Sequence, residues 1–170
     1  REVDPWTNRK ATTTHELPER VAFIGTGPVG CELADAYARL GAQVTLLGQE
    51  DRLLTREEPF AGEQVAQVQR ELGVDLRLGV ELTKVERPVP GGPVSIHVQA
   101  PDGGESIVEV DEVVVAAGRT PNSGGLRLDA LGVGPKGPGS GGGARKLRGG
   151  GHDLVHAIGG PHGPRPLSPQ

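Results

Sequence analysis

The 170-residue chain has little of what would place it in several large classes of protein: one cysteine, no methionine and 2% aromatic residues. Its single cysteine, Cys31, permits no internal disulfide and is typical of a cytoplasmic protein. No apolar run approaches the roughly 20 residues that span a bilayer, so we predict no membrane contact. The net charge of -4 includes no basic stripe interleaved with aromatic side chains, which argues against a nucleic-acid partner. The five histidines lack metal-ligand spacing, and we predict no metal site.

Glycine and proline are abundant, with 28 and 15 residues, and they concentrate toward the end of the chain. This distribution predicts three segments: a polar, irregular lead-in arm at 1–17, a folded domain at 18–133, and a Gly/Pro-rich, mostly flexible tail at 134–170. The chain opens at Arg1 rather than at a methionine, and we therefore expect a fragment of a longer protein.

The most informative stretch combines two apolar runs with a helical pattern between them. The run VAFIG at 21–25 predicts a strand buried on both faces, and QVTLLG at 43–48 predicts a second one. Between them, residues 28–40 show helical spacing of apolar side chains. That spacing assigns four residues to the buried face of the helix: Val29, Leu33, Ala36 and Leu40. The unit has the size of a right-handed βαβ crossover.

A second helix is expected at 59–72, and a third parallel strand at 74–79. The apolar spacing of this helix assigns three residues to its buried face: Val65, Val68 and Leu72.

The next part of the chain changes from continuous apolar runs to alternation of apolar and polar residues. Segments 80–87, 94–100 and 105–110 alternate in this way, which predicts an antiparallel meander with one solvent-exposed face. Residues 111–118 return to a continuous apolar run and predict another buried parallel strand. The chain is therefore expected to be an α/β protein: a Rossmann-like three-layer domain with a parallel sheet and an antiparallel β-meander as a crossover.

A spaced glycine triplet, Gly25-x-Gly27-x-x-Gly30, closes the first predicted strand and opens the first predicted helix. Gly25 permits the tight turn, Gly27 lets a pyrophosphate approach the backbone, and Gly30 lets the helix pack close to the strand. Free amides and the positive dipole end of the helix would hold the phosphates. The predicted contacts with the dinucleotide are Gly25, Thr26, Gly27, Pro28, Val29 and Gly30. The alternative is a glycine-rich turn without a ligand.

The end of the second strand distinguishes NAD from NADP in such sites. Gly48 occupies the expected position, and it has neither a carboxylate to bind a ribose nor a basic side chain to bind a phosphate. Gly48 and Gln49 are nonetheless predicted cofactor contacts. Glu50 and Asp51 would repel the additional phosphate of NADP, whereas Arg52 would attract it. Both cofactors stay open, and the acidic pair favours NAD.

Two motifs resemble one known family. Residues 17–47 and 109–122 are similar to the NAD(P)H-binding domain of the FAD-dependent pyridine nucleotide–disulfide oxidoreductases, which include dihydrolipoamide dehydrogenase and mercuric reductase. The resemblance implies that the parent protein is a flavoprotein oxidoreductase. This domain would bind NAD(P)H and deliver hydride to FAD. The implied partners are the pyridine dinucleotide and the FAD and dimerisation domains of the parent.

The same resemblance implies roles for three residues outside the glycine turn. Glu32 matches the acidic residue of the family near the nicotinamide and the flavin, and Ala117 and Gly118 match the strand end whose backbone approaches the nicotinamide.

Several departures from the family pattern limit what the chain can do alone. Pro28 stands where many members carry a tyrosine that gates the nicotinamide pocket, and Gly160 stands where an aspartate holds the flavin. The redox cysteine pair is absent, so we assign no catalytic residue and expect the chain alone to be inactive. The alternative function is a stand-alone dinucleotide-binding or interaction module without redox activity.

Overall fold

The computed structural model describes residues 3–118 and the backbone of residues 143–144 and 148–149. The chain forms two compact units, Arg1–Gly118 and Arg119–Gln170. The described elements of the first unit, in chain order, are α1 (Asn8–Thr13), β1 (Arg20–Ile24), α2 (Pro28–Leu40), β2 (Gln43–Gly48), α3 (Pro59–Glu71), β3 (Asp75–Leu78), β4 (Glu81–Glu86), β5 (Val94–Gln99), β6 (Glu105–Val110) and β7 (Glu112–Val115). In the second unit, β8 (Gly143–Ala144) pairs antiparallel with β9 (Arg148–Gly149).

A four-stranded parallel sheet in the order β3-β2-β1-β7 forms the centre of the first unit. The central strand β1 pairs on both sides, so that Phe23 lies opposite Leu46 and Val114. Val21, Ala22 and Phe23 are all fully buried, as expected for a continuous apolar strand covered on both faces. The four predicted parallel strands are therefore confirmed.

The antiparallel meander β4-β5-β6 forms a second sheet and connects β3 to β7. Ala22, Leu47 and Val113 of the parallel sheet share a hydrophobic core with side chains of the meander, among them Ile96 and Val108. Alternate side chains of β5 are buried, which fits a sheet with one face on the core. The meander therefore covers one face of the parallel sheet.

The helices cover the opposite face. Phe23 and Leu46 of the sheet pack in a separate core with Ala34 and Tyr37 of α2 and Ala66 of α3. Phe23 and Tyr37 meet edge to face, with ring centroids 5.3 Å apart. Helices, parallel sheet and meander make three layers, and the predicted fold class is confirmed.

The predicted extent of α2 is confirmed, but its predicted buried face is wrong. The buried residues of α2 are Gly30, Cys31, Ala34 and Tyr37. Leu40, which was assigned to the core, is 68% exposed, and Ala36 is exposed as well. At Gly30, Cys31 and Ala34 this face carries short side chains, which let the helix approach the sheet closely. Val29 and Leu33 lie at the border of this face and are partly buried.

Helix α3 shows the same difference. Its buried residues are Gly62, Ala66 and Gln69. Val68 is 41% exposed, whereas Val65 and Leu72 only border the core. The buried Gln69 side chain donates a hydrogen bond of 2.9 Å to the Cys31 carbonyl and so links α3 to α2. Burial of a glutamine instead of a valine was not visible in an apolar pattern.

The N-terminal arm is more ordered than its polar sequence indicated. The Trp6 amide donates to the Val113 carbonyl, and the Trp6 carbonyl accepts from the Val115 amide, both at 2.8 Å. Trp6 thereby extends the parallel sheet beyond β7. Helix α1 follows, and the Tyr37 hydroxyl donates to the Ala11 carbonyl at 2.7 Å. The arm packs on the sheet, and the proposed boundary at residue 18 stays a prediction.

At the first residue of β1, an ion pair joins the strand to the turn between β6 and β7. Arg20 donates from its backbone amide and its guanidinium to the Asp111 carboxylate, at 2.8 and 2.6 Å. These bonds hold the pKa of Asp111 below its usual value.

The predictions for the tail, including the departure at Gly160, lie outside the described residues apart from the backbone of β8 and β9. The last four residues of the second family motif, 119–122, also lie outside them. Within the described part of the chain, none of the helices combines the length and apolarity needed to cross a membrane.

Candidate functional site

The first glycine of the triplet makes a turn that no other residue would fit. Gly25 follows β1 with a φ of 122°, and its amide donates to the Leu47 carbonyl at 2.9 Å. A Cβ at Gly25 would lie 2.7 Å from the carbonyl carbon of Ala116 and 2.8 Å from the amide nitrogen of Ala117. The turn therefore packs directly against the chain that leaves β7, at the carboxyl edge of the sheet.

The third glycine lets α2 begin close to that turn. A Cβ at Gly30 would collide with the carbonyl oxygen of Gly25 and would lie 3.7 Å from the Ala116 side chain. The backbone of the first turn of α2 therefore packs directly against the backbone of the Gly25 turn. This is the helix-packing role that the motif predicted for Gly30.

The second glycine faces open space. A Cβ at Gly27 would have no described atom within 4 Å, and its φ of -76° is accessible to any residue. Gly27 is the N-cap of α2 and provides no side-chain cap. Among the described residues, the amides of Gly27, Val29 and Gly30 have no hydrogen-bond partner. The positive end of the α2 dipole is therefore left uncapped beside a free volume, as an anion site requires.

The end of β2 is closed by the same turn. The Thr26 methyl group occupies the place where a Cβ at Gly48 would be, and Thr26 is only 7% exposed. Gly48 itself is buried, so a larger side chain at the expected ribose position does not fit. The Thr26 carbonyl accepts a hydrogen bond of 2.9 Å from the Leu54 amide, which ties the loop after β2 to the glycine turn.

Three exposed residues follow Gly48: Gln49, Glu50 and Asp51. Arg52 differs from them, because it is half-buried and donates hydrogen bonds to carbonyls of its own loop. The basic group that the sequence offered for a phosphate of NADP is therefore already engaged.

The remaining predicted site residues lie at the surface. Glu32 is exposed in the second turn of α2, and Ala117 and Gly118 are exposed directly after β7. Pro28 is also exposed, as the first residue of α2. Pairwise contacts connect five of the predicted residues into one group: Gly25 with Gly30 and Ala117, and its neighbour Thr26 with Gly48. The structure shows no contact of Glu32 with that group among the described residues.

Cys31 lies behind the glycine turn and not in it. It is 4% exposed, and its thiol lies 3.5 Å from the Thr26 carbonyl, to which it donates. Burial, and secondarily the charge of Glu32, raises the pKa of Cys31 to about 11. A thiol of this kind is a small packed side chain without nucleophilic character.

We expect Cys31 in the folded chain to resist thiol reagents at pH 8. With a pKa of about 11, only about one thousandth of the thiol is ionised there, and access is blocked as well. A thiol assay with and without denaturant checks this expectation. Rapid, stoichiometric labelling of the native chain would show that the helix opens readily or that the thiol is exposed.

Sequence reasoning missed two residues that shape this site, Arg52 as a loop anchor and Leu54. Leu54 has a φ of 52°, a left-handed conformation that leucine seldom adopts. No sequence signal marks such a position, because glycine or asparagine would be expected there. Among the described residues, no group of three or more His, Cys, Asp or Glu side chains could hold a metal ion.

The fold and the glycine turn at the carboxyl edge of the sheet define a class: three-layer α/β domains built around a Rossmann-type βαβ unit. The family model described as pyridine nucleotide-disulphide oxidoreductase matches residues 1–140. The chain belongs to this family, as the two sequence motifs predicted.

Curated relatives agree with the family. A mercuric reductase of Staphylococcus aureus is 38% identical over 132 residues, which is 78% of this chain and 24% of the relative. A dihydrolipoyl dehydrogenase of Pseudomonas aeruginosa is 36% identical over 126 residues, 73% of this chain and 25% of the relative. The chain thus spans about a quarter of the length of the curated relatives it matches.

Two solved structures share the fold. An HOCl-induced flavoprotein disulfide reductase from Escherichia coli superposes with a TM-score of 0.71 at 23% identity, over 85% of this chain and 32% of that one. LpdA from Mycobacterium tuberculosis superposes with a TM-score of 0.62 at 27% identity, over 81% of this chain and 29% of that one.

Proposed function

We propose that this chain is the NAD(P)H-binding part of an FAD-dependent disulfide-reductase-like oxidoreductase, in which it delivers hydride to FAD. One observation carries the proposal: the amides of Gly27, Val29 and Gly30 have no hydrogen-bond partner among the described residues, and a Cβ at Gly27 would meet no described atom within 4 Å. Family membership and the share of the relatives that the chain covers support it. The proposed partners are the FAD and dimerisation domains of the whole protein, and the proposed location is the cytoplasm.

The residues present fit a pyridine dinucleotide. A pyrophosphate needs several donors and a positive potential, and the first turn of α2 offers both. Gly27 leaves the approach open, while Gly25 and Gly30 hold the turn in place through backbone contacts. When bound, the reduced nicotinamide supplies the hydride that a flavin accepts.

We further propose that Ala117, Gly118 and Glu32 line the nicotinamide end of the site. The Ala117 amide lies against the Gly25 turn, so the chain that leaves β7 borders the proposed pyrophosphate site. Exposed backbone at Gly118 offers hydrogen-bonding groups to a ligand. The Glu32 carboxylate would act as a charged neighbour of the nicotinamide.

NAD is the proposed cofactor. Glu50 and Asp51 are exposed beyond the end of β2, and their charges disfavour the additional phosphate of NADP. Arg52 does not offset them, because its guanidinium already faces carbonyl groups of the chain.

Titration of the 170-residue chain with NADH and with NADPH tests this function, with binding followed by calorimetry and by cofactor fluorescence. We expect saturable binding of both and a lower Kd for NADH, because the two share the pyrophosphate and differ only at the adenosine ribose. Tighter NADPH binding would reverse the choice of cofactor. Heat and fluorescence signals that stay at the buffer baseline with both dinucleotides would refute the function itself.

A further inference from the structure

The loop between β2 and α3, residues 49–58, is organised around the half-buried guanidinium of Arg52. Arg52 donates to the Thr55 carbonyl at 2.9 Å and makes longer contacts with the carbonyls of Glu57, at 3.3 Å, and Leu54, at 3.5 Å. A planar guanidinium spreads its donors in a rigid fork across separated acceptors, whereas a lysine ammonium concentrates its three donors on one nitrogen. Arg52 therefore sets the course of the loop from residue 54 to residue 57.

The loop also packs closely against α3. Leu53 is fully buried, and its carbonyl occupies the place of a Cβ at Gly62. Leu54 then takes its left-handed φ of 52°. A conformation of this kind costs free energy for leucine and persists only where the surroundings impose it. The Glu57 amide donates to the Leu54 carbonyl at 2.8 Å, so both sides of Leu54 are held by hydrogen bonds.

Leu54 links this loop to the glycine turn. Its amide donates to the Thr26 carbonyl at 2.9 Å, between Gly25 and Gly27. Thr26 in turn fills the space above Gly48. The contacts run without a gap from Arg52 through Leu54 to Thr26, and Thr26 precedes the open amides of α2.

We propose that Arg52 is a positioning residue, which holds Leu54 and through it the glycine turn in the conformation that receives the pyrophosphate, and is not a ligand of a cofactor phosphate. This inference rests on the proposed function and extends it, because it assigns a role to Arg52, the residue directly after the acidic pair. It predicts that loss of the guanidinium weakens the binding of NADH and the binding of NADPH by the same factor, since both carry the pyrophosphate. A ligand of the additional phosphate would affect NADPH alone.

Three variants of the 170-residue chain test the proposal. Arg52→Lys keeps the charge but loses the fork across the carbonyls, and Arg52→Gln loses both. Arg56→Gln is the matched control: Arg56 is exposed in the same loop and has no hydrogen bond to a described residue. Two quantities are measured, the hydrogen-exchange rate of the Leu54 amide without ligand and the Kd of each dinucleotide. Far-ultraviolet circular dichroism establishes whether each variant is folded. If Arg52→Gln does not fold, the measurements on Arg52→Lys alone decide the proposal.

In Arg52→Lys we expect Leu54 exchange to accelerate by about tenfold or more. Both Kd values should rise by a common factor of about five to ten, as loss of charge-assisted hydrogen bonds allows. Arg56→Gln should change neither quantity. Unchanged Leu54 exchange in Arg52→Lys would overturn the positioning role. A rise in the Kd of NADPH alone in Arg52→Gln would make Arg52 a phosphate ligand and overturn it as well. A wild-type chain that binds neither dinucleotide would instead refute the proposed function, and with it the cofactor role of Arg52.

Discussion

Replacement of Gly30 by alanine is expected to lower the free energy of unfolding by about 2 to 4 kcal/mol. The new Cβ would collide with the carbonyl oxygen of Gly25, and neither atom belongs to a side chain that can rotate away. Alanine would favour the helix by about 1 kcal/mol relative to glycine, which is smaller than the cost of separating two packed backbone segments. The net effect is therefore destabilising.

Urea denaturation followed by circular dichroism measures this difference, and the melting temperature should fall by roughly 10 °C. The matched control is Gly27→Ser, in the same triplet, because a side chain there meets no described atom. Equal unfolding free energies for Gly30→Ala and the wild type would show that α2 does not pack on the turn as the structure has it.

Gly27→Ser is expected to separate binding from stability, with effects of opposite sign. Serine is a good N-cap, and its hydroxyl can accept a hydrogen bond from the Gly30 amide, which is unpaired among the described residues. The fold should therefore be unchanged or more stable by up to about 1 kcal/mol. The same side chain occupies the approach to the amides and consumes one donor, so the Kd for NADH should rise by about tenfold or more.

Parallel measurements of the unfolding free energy and of NADH binding check this prediction. Ala36→Ser serves as the control, because it adds a hydroxyl to the exposed face of the same helix and should leave NADH binding unchanged. If Gly27→Ser bound NADH as well as the wild type, the pyrophosphate could not lie on the first turn of α2.

Much of the candidate site was visible in the sequence because its signals are local. The glycine spacing depends on the geometry of one strand–turn–helix unit, and both neighbours of the turn were predicted correctly. Helix α2 begins at Pro28 and ends at Leu40, and Gly41 follows it with a φ of 101°. Proline at a first helical position and glycine at the end of a helix follow from backbone sterics alone.

The wrong predictions concern the rotation of helix α2 about its axis and the binding partner of Arg52, and both depend on contacts made in the folded chain. Apolar spacing assigned Leu40 to the core, yet the helix turns its small residues to the sheet, because Gly30 has to rest on Gly25. Likewise, Arg52 was considered as a phosphate partner from its position after β2, whereas in the folded chain it binds carbonyls of its own loop.

From β1 to β7, the sequence by itself determined the order of strands and helices, the antiparallel meander and the glycine turn, since each follows from periodicity or from the steric limits of a few neighbouring residues. Only the tertiary structure decided which face of α2 is buried, that Thr26 closes the space over Gly48, and that Leu54 joins the loop to the turn. These features arise from contacts between segments far apart in the chain, and close packing selects them among arrangements that local propensity leaves equivalent.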